Sequence, residues 1–208
     1  MTGIVEYQDF LDEKLIELTN TLDTPVESFF DHPQGVFNGA ETSRHQWFDQ
    51  SSRLGQELVS RLEQLDYFKG NKVDGMQVTD MLKPYDVHSD YIVTHKQVPI
   101  SDPKKSIPTY TTIIPLVLGD NKTVVFNEKA NYNNFQDYKK QNASGHGVPK
   151  ELWDQLCGHC HNEDRVYLTV KQVIEWKKGD LFAFDRLFFH SSANFEKPKR
   201  AIVVWSSR

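Results

Sequence analysis

From about residue 73 onward the chain is written in short β-type segments, at 76–82, 110–118, 123–126, 165–170, 181–184 and 201–205. Turn chemistry separates them, as in Gly119-Asp120-Asn121 and Lys177-Lys178-Gly179-Asp180. So many short strands can bury their apolar faces only if sheets pack on one another or close into a barrel. The preceding residues follow a different period. Tyr7, Phe10, Leu11, Leu15, Leu18 and Leu22 are spaced three and four apart and predict a helix over 6–22. Trp47, Leu54, Leu58, Leu62 and Leu65 predict a second, with Thr42 or Ser43 as N-cap and Gly70 as its stop. Helices followed by many strands predict an α+β, mainly β, architecture. The expectation is a double-stranded β-helix (a cupin-like jelly roll) with the N-terminal helices packed on one sheet.

The length suits a single domain, 1–208, with 1–70 as mostly helical support and 71–208 as the jelly-roll core. A long polar insertion around 127–164 interrupts the core, with a short helix expected near 150–156. A second loop, 93–108, carries Pro99, Pro103 and Pro108. Either loop is a candidate lid. Hydrophobic residues at 38% and charged residues at 25% place the chain among ordinary globular proteins. A formal charge of -5 argues against a dedicated nucleic-acid partner. The first twenty residues carry acids and do not read as a signal peptide, and no stretch of ~18 apolar residues predicts a membrane span. With Cys157 and Cys160 as the only cysteines, a reducing cytoplasm is the expected location.

His88-Ser89-Asp90 and His190 carry the chemistry. Two imidazoles and one carboxylate can occupy one face of a six-coordinate metal and leave the opposite face open. His-x-Asp alone is weak, since eight histidines give roughly one chance match to His-x-acid. His161-Asn162-Glu163 is such a competitor. Spacing separates the two. In a jelly roll the metal-bearing strands are about four strands apart, on the order of 50 residues. The interval from residue 88 to 190 accommodates that, and the interval from 161 to 190 does not. Arg200, in the next strand with Ile202, Val204 and Ser206 on its face, is the expected cation for a ligand carboxylate. Cys157-Gly158-His159-Cys160-His161 matches the haem-attachment pattern C-x-x-C-H. No export signal accompanies it and no second ligand pair completes a zinc site, so free thiols are the expectation.

Three segments, 76–91 (MQVTDMLKPYDVHSDY), 110–126 (YTTIIPLVLGDNKTVVF) and 176–205 (WKKGDLFAFDRLFFHSSANFEKPKRAIVVW), resemble the Fe(II)/2-oxoglutarate-dependent dioxygenase superfamily, especially its prolyl-hydroxylase-like branch. The resemblance implies that His88, Asp90 and His190 bind Fe(II) and that Arg200 anchors the C5 carboxylate of 2-oxoglutarate. It implies that Tyr85 lines the site. A tyrosine of the third strand is replaced by Pro115, and Thr111 is the expected substitute, with Ser206 another. The implied reaction consumes O2, with ascorbate as a stimulant, and hydroxylates a C–H of a small molecule or peptide with release of succinate and CO2. Asp90 favours hydroxylation over halogenation. The alternatives are a non-catalytic metal-binding jelly roll, or a cupin-type dioxygenase that does not use 2-oxoglutarate.

Overall fold

A computed structural model describes residues 3–20, 43–90, 109–117, 119–130, 135–142, 147–193, 195 and 197–207. In chain order the elements are β1 (Val5–Tyr7), α1 (Glu13–Asn20), β2 (Ser43–Trp47), α2 (Arg53–Leu62), β3 (Lys72–Met81), β4 (Thr109–Pro115), β5 (Lys122–Lys129), α3 (Phe135–Gln141), α4 (Lys150–Cys157), β6 (Val170–Glu175), β7 (Leu181–Asp185), β8 (Phe188–Ala193) and β9 (Lys199–Ser207). The strands form a six-stranded antiparallel sheet in the order β1-β7-β4-β9-β3-β2 and a three-stranded one in the order β6-β5-β8. The chain is thus mainly β with a few helices, in a jelly-roll-like arrangement.

Three apolar clusters define the layers. The first joins the outer face of the large sheet (Met76, Val78, Ile114, Ile202, Val204) to α1 and α2 through Leu15, Ile16, Leu54, Leu58 and Leu62. The second joins the outer face of the small sheet (Val124, Phe126, Phe189) to Phe135, Trp153, Leu156 and Cys157 of α3 and α4. The third lies between the sheets, built from Met81, Ile113, Val125, Phe182, Phe184, Phe188 and Ala201. The strands that separate two such clusters are apolar on both faces, as doubly covered strands must be.

The N-terminal helices pack on one sheet as expected, with different bounds. The first helix starts at Glu13, where the Asp12 carboxylate accepts the Leu15 N–H at 2.9 Å. Tyr7 belongs instead to β1, which pairs with β7 through Glu6↔Phe182. Asp9, at φ 51, turns the chain between the two. The second helix is capped by Ser52, whose hydroxyl accepts the Gly55 N–H at 3.1 Å, and not by Ser43. Ser43 and Trp47 lie in β2, paired with β3; Thr42 is outside the described residues. In both places an edge strand captures residues whose spacing also suits a helix. Gly55 is required by close approach, since a Cβ there would stand 2.2 Å from the Asp49 carbonyl oxygen.

Residues 162–167 form a 3-10 turn, not a strand, and the strand follows as β6. The expected helix near 150–156 is present as α4. The described parts of the 127–164 insertion cover the outer face of the small sheet as a packed layer. The 93–108 loop lies outside the described residues.

Candidate metal centre

His190 sits in the middle of β8. His88 follows β3 and meets it in an isolated antiparallel bridge, His88 N–H to His190 O at 3.0 Å and His190 N–H to His88 O at 2.8 Å. This reciprocal pairing places the imidazoles side by side, with ring centroids 4.3 Å apart. Asp90, two residues on, is held by its own N–H to the Arg186 carbonyl at 3.1 Å. Arg186 belongs to the turn between β7 and β8, the point where the chain leaves the large sheet for the small one. The His88 Nε2 lies 3.9 Å from Asp90 Oδ1, and the His190 Nε2 lies 3.7 Å from Asp90 Oδ2. One donor atom from each residue falls within 4.8 Å of the others. Two imidazoles and a carboxylate gathered in this way fit a divalent transition metal.

The orientation of each of these side chains is fixed from behind. The His88 Nδ1 is 2.7 Å from the Asp86 carbonyl oxygen, and the His190 Nδ1 is 3.0 Å from that of Phe188. With its proton on Nδ1 donated to a carbonyl two residues upstream, each ring turns Nε2 toward Asp90. The Thr111 hydroxyl donates to Asp90 Oδ2 at 2.6 Å. Burial lowers the His190 pKa to about 4, helped by His88 and opposed by Asp90, so the ring is neutral at pH 7 as a ligand must be. Burial raises the Asp90 pKa, but His190, His88, the Thr111 hydroxyl and the Trp205 indole outweigh it and hold the carboxyl below its ordinary range. Phe184 packs edge-on against His190 and Tyr85 edge-on against His88, at centroid distances of 4.9 and 5.6 Å.

The remaining expected residues divide. Tyr85 is at the site, and its carbonyl also accepts the Ser191 hydroxyl at 2.7 Å. Thr111 is at the site too, but its hydroxyl holds the carboxylate ligand. Arg200 is on the wrong face. Thr111 pairs with Trp205 across β4 and β9 and bonds Asp90, so odd-numbered residues of β9 face the space between the sheets. Arg200 points with Ile202 and Val204 toward the helices, 3.6 Å from Asp80 and 3.4 Å from the Thr19 carbonyl oxygen. Ser206 shares that outward face, paired with Tyr110.

The neighbouring Lys199 takes the inward position. It is 1% exposed, its Nζ donates to the carbonyls of Lys122 (2.6 Å) and Ala193 (3.2 Å), and it lies over the Trp176 ring at 4.9 Å. Burial pushes its pKa down to about 7. No carboxylate pairs with it among the described residues. Trp205 was also missed. Its buried indole N–H is directed at the Asp90 carboxylate, whose pKa it helps to lower, while the buried Gln77 Oε1 on the adjacent strand has no hydrogen-bond partner among the described residues. The Cys-x-x-Cys-His segment gathers no metal site; the His88, Asp90 and His190 group is the one such cluster among the described residues.

No protein-family model matches the sequence, and no curated protein matches it. Several solved structures share the fold. The non-haem α-ketoglutarate-dependent epimerase SnoN of nogalamycin biosynthesis aligns with TM-score 0.57 at 13% identity, over 99% of this chain and 78% of that one. The carbocyclase SnoK of the same biosynthesis gives 0.56 at 12% identity, over 99% and 79%. HygX of Streptomyces hygroscopicus, solved with nickel and 2-oxoglutarate bound, gives 0.53 at 12% identity, over 99% and 83%. At these identities the likeness is one of fold. No helix among the described residues is long and apolar enough to cross a membrane.

Proposed function

We propose that the chain is an Fe(II)- and 2-oxoglutarate-dependent oxygenase, one domain built as a double-stranded β-helix, that hydroxylates a C–H of a small molecule or peptide. The observation that carries this reading is the His88–His190 backbone bridge, with both Nε2 atoms turned toward a carboxylate held by Thr111. His88, Asp90 and His190 would hold the iron. When bound, iron and 2-oxoglutarate supply the oxidising chemistry, consuming O2 and releasing succinate and CO2. The chain's own residues orient the ligands, exclude water and hold the cosubstrate.

Lys199, rather than Arg200, is assigned the distal carboxylate of 2-oxoglutarate. The Ala193 carbonyl that it contacts is three strand residues from His190, about 10 Å along β8. A five-carbon diacid chelating at the triad with one end would reach toward this ammonium with the other. A buried amine without a counter-anion is a costly feature, and an anionic ligand gives it a function. Ile113, Val125 and Ala201, in the same inter-sheet cluster, would wall the path. The buried Gln77 Oε1 offers one acceptor to whatever else enters.

The test is succinate formation from 2-oxoglutarate with Fe(II) and ascorbate. Asp90→Ala should abolish it. Lys199→Met should weaken 2-oxoglutarate binding by ~100-fold, the loss of a charge-assisted contact worth about 3 kcal/mol. Arg200→Ala should change it less than threefold, about 0.6 kcal/mol. The opposite ranking would refute the Lys199 assignment, and turnover without 2-oxoglutarate would favour a cupin-type dioxygenase. A substrate-library screen that follows oxygen consumption, with hits checked for gain of one oxygen atom, addresses the substrate.

A further inference from the structure

The Cys-x-x-Cys-His segment, unused by the chemistry above, packs directly behind the metal ligands. Cys157 ends α4, and the Cys160 N–H donates to the Cys157 carbonyl at 2.8 Å, so a single turn separates the two residues. A three-residue offset in such a turn places the Cα atoms about 5–6 Å apart, inside the range a disulfide spans. Both are thiols here, Cys157 1% exposed and Cys160 9%. The Cys160 Sγ lies 3.5 Å from the Ser191 hydroxyl. Ser191 follows His190, and its hydroxyl donates to the carbonyl of Tyr85, three residues before His88. The His159 Nε2 spans the same two groups, 3.0 Å from the Tyr85 carbonyl oxygen and 3.1 Å from the Ser191 hydroxyl. These residues therefore clamp the His88-bearing segment to β8.

We propose that Cys157 and Cys160 are a peroxide-oxidisable dithiol whose closure to a disulfide loosens this clamp and weakens metal binding. The Cys160 sulfur attacks one oxygen of hydrogen peroxide, the O–O bond breaks, and hydroxide leaves and is protonated to water. The sulfenic acid so formed is attacked by the Cys157 sulfur. The S–S bond forms, the S–OH bond breaks, and the departing hydroxide takes the Cys157 proton as a second water. Two thiols lose two electrons and the peroxide gains them. The local chemistry assigns these roles. The Cys157 thiol donates to the Cys160 sulfur and, with His159 and Ser191, pulls the Cys160 pKa down to about 5, whereas donation and burial push Cys157 upward. Closure turns the Cys160 sulfur, an acceptor for His159 and Ser191, into half of a neutral disulfide, so both of its bonds to the clamp weaken.

The weakened metal binding rests on the metal-centre reading; the disulfide does not. The full chain, reduced and freed of reductant, is treated with stoichiometric hydrogen peroxide and followed by intact mass and peptide mapping. A loss of two hydrogens localised to a Cys157–Cys160 link, reversed by dithiothreitol, is expected. Cys157→Ser should instead accumulate a Cys160 sulfenic acid trappable by dimedone, and Cys160→Ser should give neither product. Differential alkylation of the wild type gives the same answer should a variant fail to fold. Nickel titration of the two wild-type forms should show about tenfold weaker binding after oxidation. Absence of the link, or a link with unchanged nickel affinity, overturns the proposal. Thiol-bound zinc released by the peroxide would overturn it as well. Nickel binding by neither form refutes the metal reading instead and leaves the mass result to stand by itself.

Discussion

At the scale of single residues, Lys199 and His190 are poised by burial, and each leaves a pH signature. Lys199, lowered from 10.5 to about 7, is deprotonated in the folded chain while still protonated in the unfolded one across that interval. Stability should therefore rise with pH between about 7 and 10.5, and Lys199→Met should flatten the slope in urea denaturation. An anionic ligand at Lys199 restores its proton, so 2-oxoglutarate binding at pH 7 should take up about half a proton per site. Calorimetry in buffers of different ionisation enthalpy reads that uptake; none at all would place the carboxylate elsewhere. His190, lowered from 6.5 to about 4, stabilises the metal-free fold above 6.5, and that contribution is lost as pH falls toward 4. Thr111→Val keeps the side-chain volume while removing the hydroxyl that holds Asp90, so nickel affinity should fall about 10-fold with the melting temperature nearly unchanged.

At the scale of elements, the site depends on a chain crossing and on a cover. The β7–β8 turn moves the chain from one sheet to the other. The Asp185 carboxylate accepts the Leu187 N–H at 3.0 Å in that turn, and the Arg186 carbonyl positions Asp90. The cover is α4, whose Trp153 is 1% exposed against Phe126 of β5. Trp153→Ala should cost about 3–5 kcal/mol, measurable by chemical denaturation, because that ring heads the largest fully buried side chains of the described residues. A loss under ~1 kcal/mol would mean that the 127–164 insertion is dispensable to the core. The insertion was legible as an interruption but not as a layer. Its polar composition gave no sign of Phe135, Trp153 and Leu156 converging on one face. Likewise Trp47 fits the spacing of α2, and only pairing with Gln77 of β3 places it in a strand.

For the molecule as a whole, an ion held by His88, Asp90 and His190 would couple both sheets. Asp90 is tied to Thr111 of the large sheet while His190 belongs to the small one. An ion bound by all three should raise global stability by about 2.7 kcal/mol at a concentration one hundred times its dissociation constant. Thermal melts with and without nickel should show that shift in the wild type and lose it in Asp90→Ala. The amino-acid order by itself singled out His88, Asp90 and His190, which the fold brings together, because donor type and strand-length spacing are written along one dimension. It also determined that helices precede a β sandwich, because the two periods differ. Tertiary structure alone decided which residue of β9 faces inward. Alternation along that strand is readable, but Ala201, Val203 and Trp205 on one side and Ile202 and Val204 on the other are equally apolar, since each face is covered. With no polar side to mark the solvent, only the pairing of Trp205 with Thr111 shows that Lys199 faces the space between the sheets and Arg200 the helices.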